Sequence, residues 1–193
     1  MTTLESLKPK IEEAEKKIEI QMNRVDMALS RIAERDSYIF RKVILALQRK
    51  DSQRASVYAN ELSEVRKLGK LVTQARLALQ QVVLRLNTVR DLGDAITVIS
   101  PAISVVRNVG SDLSYIIPEA QGEISEINNI LGDILIDAGS LSGTARVNVE
   151  TTNEEADKIL SEASVLAEKR MRQLFPEIST TQLPRQSEAI EIE

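Results

Sequence analysis

The chain has 193 residues with 25 Lys/Arg against 29 Asp/Glu, and it contains neither His nor Cys. Thiol nucleophiles, disulfides, histidine general bases and zinc sites of the usual ligand types are therefore excluded, and a cysteine-free chain suits a reducing compartment. The charge is sorted by position: residues 1–90 hold 18 Lys/Arg and 11 Asp/Glu, residues 91–193 hold 7 and 18, an asymmetry that points to an anionic partner such as membrane or nucleic acid.

Aromatic residues make up only 3% of the chain while Leu, Ile, Val, Glu and Arg abound, which predicts an all-α fold built on long, zipped helices. The first helix is predicted from about Lys8 to Gln48. Leu4, Leu7, Ile11, Ala14, Ile18, Met22, Val25, Leu29 and Ile32 alternate steps of three and four. Ile39, Val43 and Leu47 resume the stripe after one skipped turn. A polar stretch, Arg49 to Gln53, predicts a hairpin turn with a cap at Asp51 or Ser52.

The same alternation continues from Ala55 through Tyr58, Leu62, Val65, Gly69, Val72, Ala75, Leu79, Val82, Leu86, Val89, Gly93 and Ile96, so the second arm is expected to run unbroken to Ile99. Gly69 and Gly93 fall in seam slots, where they read either as two weak points costing about 1 kcal/mol each relative to Ala or as a close helix approach at Gly69 and a bend near Gly93. Ser100-Pro101 reads as an N-cap with proline in the first turn of a new helix. After Pro118 a further stripe, Ala120 to Ala138, is expected to end at Gly139. Residues 139–151 read as a flexible linker. Thr152-Asn153-Glu154-Glu155 is a capping-box pattern for a fifth helix, 152–174, and residues 175–193 form a polar tail. The domain reading is thus a helical core over 1–138 (hairpin 8–99, acidic helices 101–138), then linker, fifth helix and tail.

Two charge patterns stand out. Lys10, Lys17, Arg24 and Arg31 are spaced by seven, as are Arg35, Lys42 and Arg49. The four-residue step between the two sets corrects the drift of a heptad on an α-helix, so all seven cations lie within about 60° of arc over roughly 58 Å. Ile20, Met27, Tyr38 and Leu45 border this line. A cationic line with apolar flanks has the character of an interfacial helix, in which each cation near an anionic bilayer contributes about 1 kcal/mol. Opposite in sign, the stretch between Arg107 and Arg146 has no Lys or Arg but carries Asp112, Glu119, Glu123, Glu126, Asp133 and Asp137. Of these, Asp112, Glu119, Glu123, Glu126 and Asp133 are the candidates to cover the stripe. Nucleic acid is disfavoured because the front half lacks interleaved aromatics for stacking and any reading-head motif.

No catalytic constellation is visible. Glu12/Glu13 and Glu154/Glu155 are adjacent pairs that do not converge on one helix face, and Gly69-Lys70 lacks the rest of a phosphate loop. No enzymatic activity, cofactor or metal is expected. The first ten residues lack the apolar core of a signal peptide. The uncharged run Ala95–Val106, interrupted by Pro101, is shorter than the roughly 20 residues a span needs. A soluble, cytoplasmic protein is expected.

The order of elements resembles the ESCRT-III family of membrane-remodelling polymers, most of all its archaeal CdvB-type cell-division members: a basic hairpin, shorter acidic helices, a loop, one more helix and a proline-containing tail. The length is that of a shorter paralogue without a winged-helix segment. The tail residues Leu174-Phe175-Pro176-Glu177-Ile178 and Leu183-Pro184-Arg185 are similar to motifs with which these proteins engage the MIT domain of their AAA ATPase. The resemblance implies Leu174, Pro176, Ile178, Leu183 and Pro184 as partner-binding residues, and Gly93 and Pro101 as the hinge that straightens on opening. It also implies homo- and hetero-polymers with paralogues, an anionic membrane surface and the ATPase as partners, and self-covering of the basic hairpin. The alternative reading is a coiled-coil scaffold that never touches lipid.

Overall fold

The computed structural model describes residues 4–89, 92–142 and 149–177. Among these the chain is all-α: α1 Leu4–Gln48, α2 Ser52–Leu86, α3 Leu92–Leu113, α4 Ala120–Ser142 and α5 Val149–Leu174. The predicted all-α hairpin is observed, with α1 and α2 as its arms. Its turn is a Schellman motif. Lys50 N–H donates to the Leu47 carbonyl at 3.0 Å and Asp51 N–H to the Ala46 carbonyl at 3.0 Å, with Lys50 in the left-handed region at φ 57°. Asp51 caps α2, its side chain accepting from Arg54 N–H at 3.0 Å.

The second arm does not reach Ile99. It ends at Leu86, and α3 begins at Leu92. Local chemistry explains the break: the Arg85 carbonyl accepts from both the Thr88 N–H at 2.9 Å and the Thr88 hydroxyl at 2.6 Å, and the Val89 N–H turns to the Leu86 carbonyl at 3.2 Å instead of to Arg85. Two other boundaries differ. Ser100-Pro101 does not open a helix; both residues lie inside α3 and are buried. Ala95 and Ile99 on one side of Pro101 and Ala102, Val105 and Val106 on the other are all buried. Packing across the proline thus outweighs its lost hydrogen bond. Gly139 does not end α4, which continues to Ser142, and α5 starts at Val149, before the Thr152 capping pattern. Helix therefore covers residues 139–142 and 149–151 of the expected linker.

The core is uneven along the hairpin. At the root, Leu7, Ile11, Ala14, Ile18 and Val25 of α1 join α2, α3, α4 and α5 in one large cluster. At the tip a small cluster of Ile39, Val43 and Leu62, with Phe40, Leu47, Tyr58, Ala59 and Val65 packed around it, involves α1 and α2 alone. The skipped turn of the α1 seam is filled by a charge: Asp36, 2% exposed, accepts from Arg66 Nε at 2.6 Å and from Arg66 Nη2 at 3.3 Å. The Arg66 guanidinium lies 5.9 Å from the Phe40 ring and 5.6 Å from the Phe175 ring, so the chain just after α5 is anchored on the hairpin at this buried pair.

Candidate functional site

The basic stripe of α1 lies against α4 for part of its length. The two helices run antiparallel, because Lys10 near the start of α1 meets Asp137 near the end of α4, while Arg24 meets Glu123 in the first turn of α4. The ion pairs are Lys10 Nζ–Asp137 Oδ2 at 2.6 Å, Lys17 Nζ–Glu126 Oε2 at 3.0 Å and Arg24 Nη2–Glu123 Oε1 at 2.7 Å. The buried Gln21 side chain also donates to Glu123. The hydrogen bond to Asp137 is the main reason the Lys10 ammonium is raised above the ordinary lysine range, with the charges of Asp137 and Asp133 assisting and burial opposing. The Lys17 ammonium is raised in the same way by Glu126.

Beneath these pairs α4 turns an apolar face inward. Ile124, Ile127, Leu131, Ile134 and Ala138 are all buried, at the three- and four-residue spacing of a helix face. Close approach of α3 and α4 is set by Gly110, where a Cβ would stand 2.6 Å from Ile124 Cγ2. α3 and α4 therefore form a tight pair laid on the root of the hairpin.

The rest of the stripe has other surroundings. Arg31 lines a groove with Arg24, Met27, Ile116, Ile117 and Glu119 at the α3–α4 connection, and makes no ion pair among the described residues. Arg35 pairs with Glu61 of α2. Lys42 stacks between two tyrosines, 4.5 Å from the Tyr38 ring and 5.2 Å from the Tyr58 ring; its interaction with the Tyr38 hydroxyl holds that phenol below its ordinary value. Arg49 stands in the turn after α1 rather than on the helix.

The acidic set divides as well. Glu123 and Glu126 pair with the stripe, Asp133 acts on Lys10 through its charge, and Glu119 lines the Arg31 groove. Asp112 is on α3, forms no ion pair among the described residues, and has its carboxyl raised by burial. Asp137, outside the five candidate carboxylates, makes the shortest of the three contacts. Its signal was its place in the same cation-free stretch. Gly93 falls in the first turn of α3, and the described break in the helix lies before it, at residues 87–89. In the candidate partner motif Leu174 is 67% exposed, whereas Phe175 is buried at 9% beside Arg66. Pro176 lines the groove under Phe175. Ile178, Leu183 and Pro184 lie outside the described residues. No group of acidic residues suited to a metal occurs among the described residues, and no helix there is long and apolar enough to cross a membrane.

No family model and no solved structure matches the chain. It is 36% identical over 183 residues to Cell division protein B1 of Sulfolobus acidocaldarius, covering 95% of this chain and 85% of that protein. It is 34% identical over 168 residues to Cell division protein B of the same organism, covering 87% of this chain and 64% of that longer protein. With likeness of this extent and the five-helix arrangement just described, the chain belongs to the CdvB-type cell division proteins of the ESCRT-III family.

Proposed function

We propose that this cell-division protein is the subunit of a membrane-remodelling filament, and that its closed form keeps the root of the basic stripe from lipid. The observation that carries the reading is the register of Lys10, Lys17 and Arg24 on Asp137, Glu126 and Glu123. Opening would free these cations for an anionic membrane on the inner face of the cell at the division site. The segment from Asn87 through Gly93 to Pro101 would straighten, so that α2 continues into α3 along the unbroken apolar seam of the sequence. Side-by-side stacking with copies and paralogues would then build the polymer. The AAA ATPase would grip Leu174, Pro176, Ile178, Leu183 and Pro184 and extract subunits.

Magnitudes assign the parts. The pairs are one-third to two-thirds exposed, and ion pairs at such exposure are individually weak. The buried side chains of Ile124, Ile127, Leu131 and Ile134 are each worth about 1.5–3 kcal/mol. The apolar face therefore sets the cost of opening, and the charges set register and the response to an anionic surface. A subunit that opens must rebury that face, which is why polymerisation and opening belong together.

Co-sedimentation with phosphatidylserine–phosphatidylcholine vesicles tests this reading. The chain should bind them but not pure phosphatidylcholine, and the variant Arg24→Ser/Arg31→Ser/Arg35→Ser/Lys42→Ser should lose binding. No charge-dependent binding, even by a chain whose α4 carboxylates are neutralised, would leave a scaffold that does not touch lipid.

A further inference from the structure

The ion pairs with α4 stop at Arg24, yet the features of an interfacial helix do not. Ile20, Met27, Tyr38 and Leu45 are 45%, 57%, 45% and 49% exposed, large apolar side chains left in water while their seam neighbours are buried. At 100° per residue they fall within about 20° of arc along roughly 38 Å of α1. They form one narrow apolar line, turned well away from the buried seam. The α3–α4 connection reaches only the edge of this line, at Met27.

Charge on this line is only partly cancelled in the closed form, by Glu61 of α2 against Arg35 and by Asp51 against Arg54. From residue 31 to residue 54 there are seven cations against Glu34, Asp36 and Asp51. Asp36 is consumed by Arg66, which lies outside this segment. Lys42 lies against tyrosine rings, with Glu61 acting on it through its charge but not as an ion pair, and Arg31, Arg41, Arg49 and Lys50 make no ion pair among the described residues. Tyr38 places an amphipathic ring between Arg35, 5.6 Å from its centroid, and Lys42, the arrangement that suits a water–lipid boundary.

We infer that the closed chain docks on an anionic membrane through this line and the tip cations, before α4 is released. The inference rests on the membrane reading above and adds an order of events. The tip of the hairpin is a standing dock, whereas the root cations are held back by Asp137, Glu126 and Glu123. A lipid surface fits better than a second copy of the chain. The apolar line is one side chain wide and bordered by Arg24, Arg31, Arg35 and Lys42 on one flank and by Lys16 and Arg41, with Glu34, on the other. Two copies meeting there would bring like charges together, whereas anionic headgroups neutralise them.

The test uses the full chain, dilute enough to remain unpolymerised, with phosphatidylserine–phosphatidylcholine vesicles, reading binding and amide exchange of residues 120–142. Binding should leave α4 protected. Met27→Gln/Leu45→Gln should weaken binding roughly tenfold without shifting the thermal midpoint or the mass in solution. The inference is overturned if Glu123→Gln/Glu126→Gln/Asp137→Asn binds while the unaltered chain does not, a result that leaves the membrane reading standing. It is also overturned if binding always strips protection from α4, if the double variant binds as well as the parent, or if that variant dissociates a dimer in the absence of lipid. Failure of every form to bind would remove the membrane reading itself.

Discussion

Asp137 accepts a hydrogen bond from Lys10 Nζ at 2.6 Å, tying the beginning of α1 to the end of α4 across 127 positions of sequence. With Lys17–Glu126 and Arg24–Glu123 it fixes α4 in a single antiparallel register on the basic face. The pairing has a definite pH signature. Because the Lys10 ammonium is raised above the model-compound value of 10.5, its contribution to stability is fully present below that value and is lost as pH rises through the folded value. In a double-mutant cycle of Lys10→Met and Asp137→Asn, followed by thermal melts, the coupling should be equal at neutral and mildly alkaline pH and be lost only above the ordinary lysine value of 10.5, once the folded Lys10 ammonium has given up its proton. Coupling that persists there would show that the pair is not ionic.

Removal of one partner of the buried Asp36–Arg66 pair strands a charge. Arg66→Met, which leaves the buried Asp36 carboxylate unpaired, should destabilise by about 3–5 kcal/mol, whereas Asp36→Leu/Arg66→Met should recover most of that loss. Urea unfolding midpoints measure both. Equal losses in the single and double variants would show that the pair is structural beyond its charge, through the Phe40 and Phe175 contacts of Arg66.

Lys50 holds φ 57° in the hairpin turn, a conformation that costs a non-glycine residue about 1–2 kcal/mol. Lys50→Gly should therefore raise stability, by roughly 1 kcal/mol after allowance for the added freedom of the unfolded chain. A drop in the thermal midpoint would contradict the Schellman assignment.

At the α3–α4 contact the sign reverses. A Cβ on residue 110 would stand 2.6 Å from Ile124 Cγ2, and a branched methyl on a buried helix has no room to withdraw. Gly110→Ala should cost about 1–3 kcal/mol through overpacking and should loosen α4, seen as faster amide exchange over residues 120–142. Adding Ile124→Ala should relieve the clash.

Sequence periodicity was enough to read the hairpin, since the α1 seam and the α2 seam are what buries its core, and the two charge patterns anticipated which helices would meet. It failed where tertiary packing or side-chain capping competed with the period. Val89, Gly93 and Ile96 continue the α2 seam perfectly, yet Thr88 takes the Arg85 carbonyl that Val89 N–H would need. Pro101 looked like a helix start but is held inside α3 by buried residues on both sides. A lone acid in the seam slot between Ile32 and Ile39 was the available signal for Asp36; its partner Arg66, thirty positions away, is fixed only by the hairpin register. The division of the stripe into a covered root and an open tip has no sequence signal, because it depends on where along α1 the α4 helix comes to lie.

The most direct measurement of the central claim is the protein concentration at which filaments form on phosphatidylserine-containing vesicles, seen by electron microscopy, for the parent chain and for Glu123→Gln/Glu126→Gln/Asp137→Asn. If α4 restrains the root cations through these carboxylates, the variant should assemble at a several-fold lower concentration. An unchanged or higher threshold would contradict the account, placing the three ion pairs among contacts that shape the fold without controlling assembly.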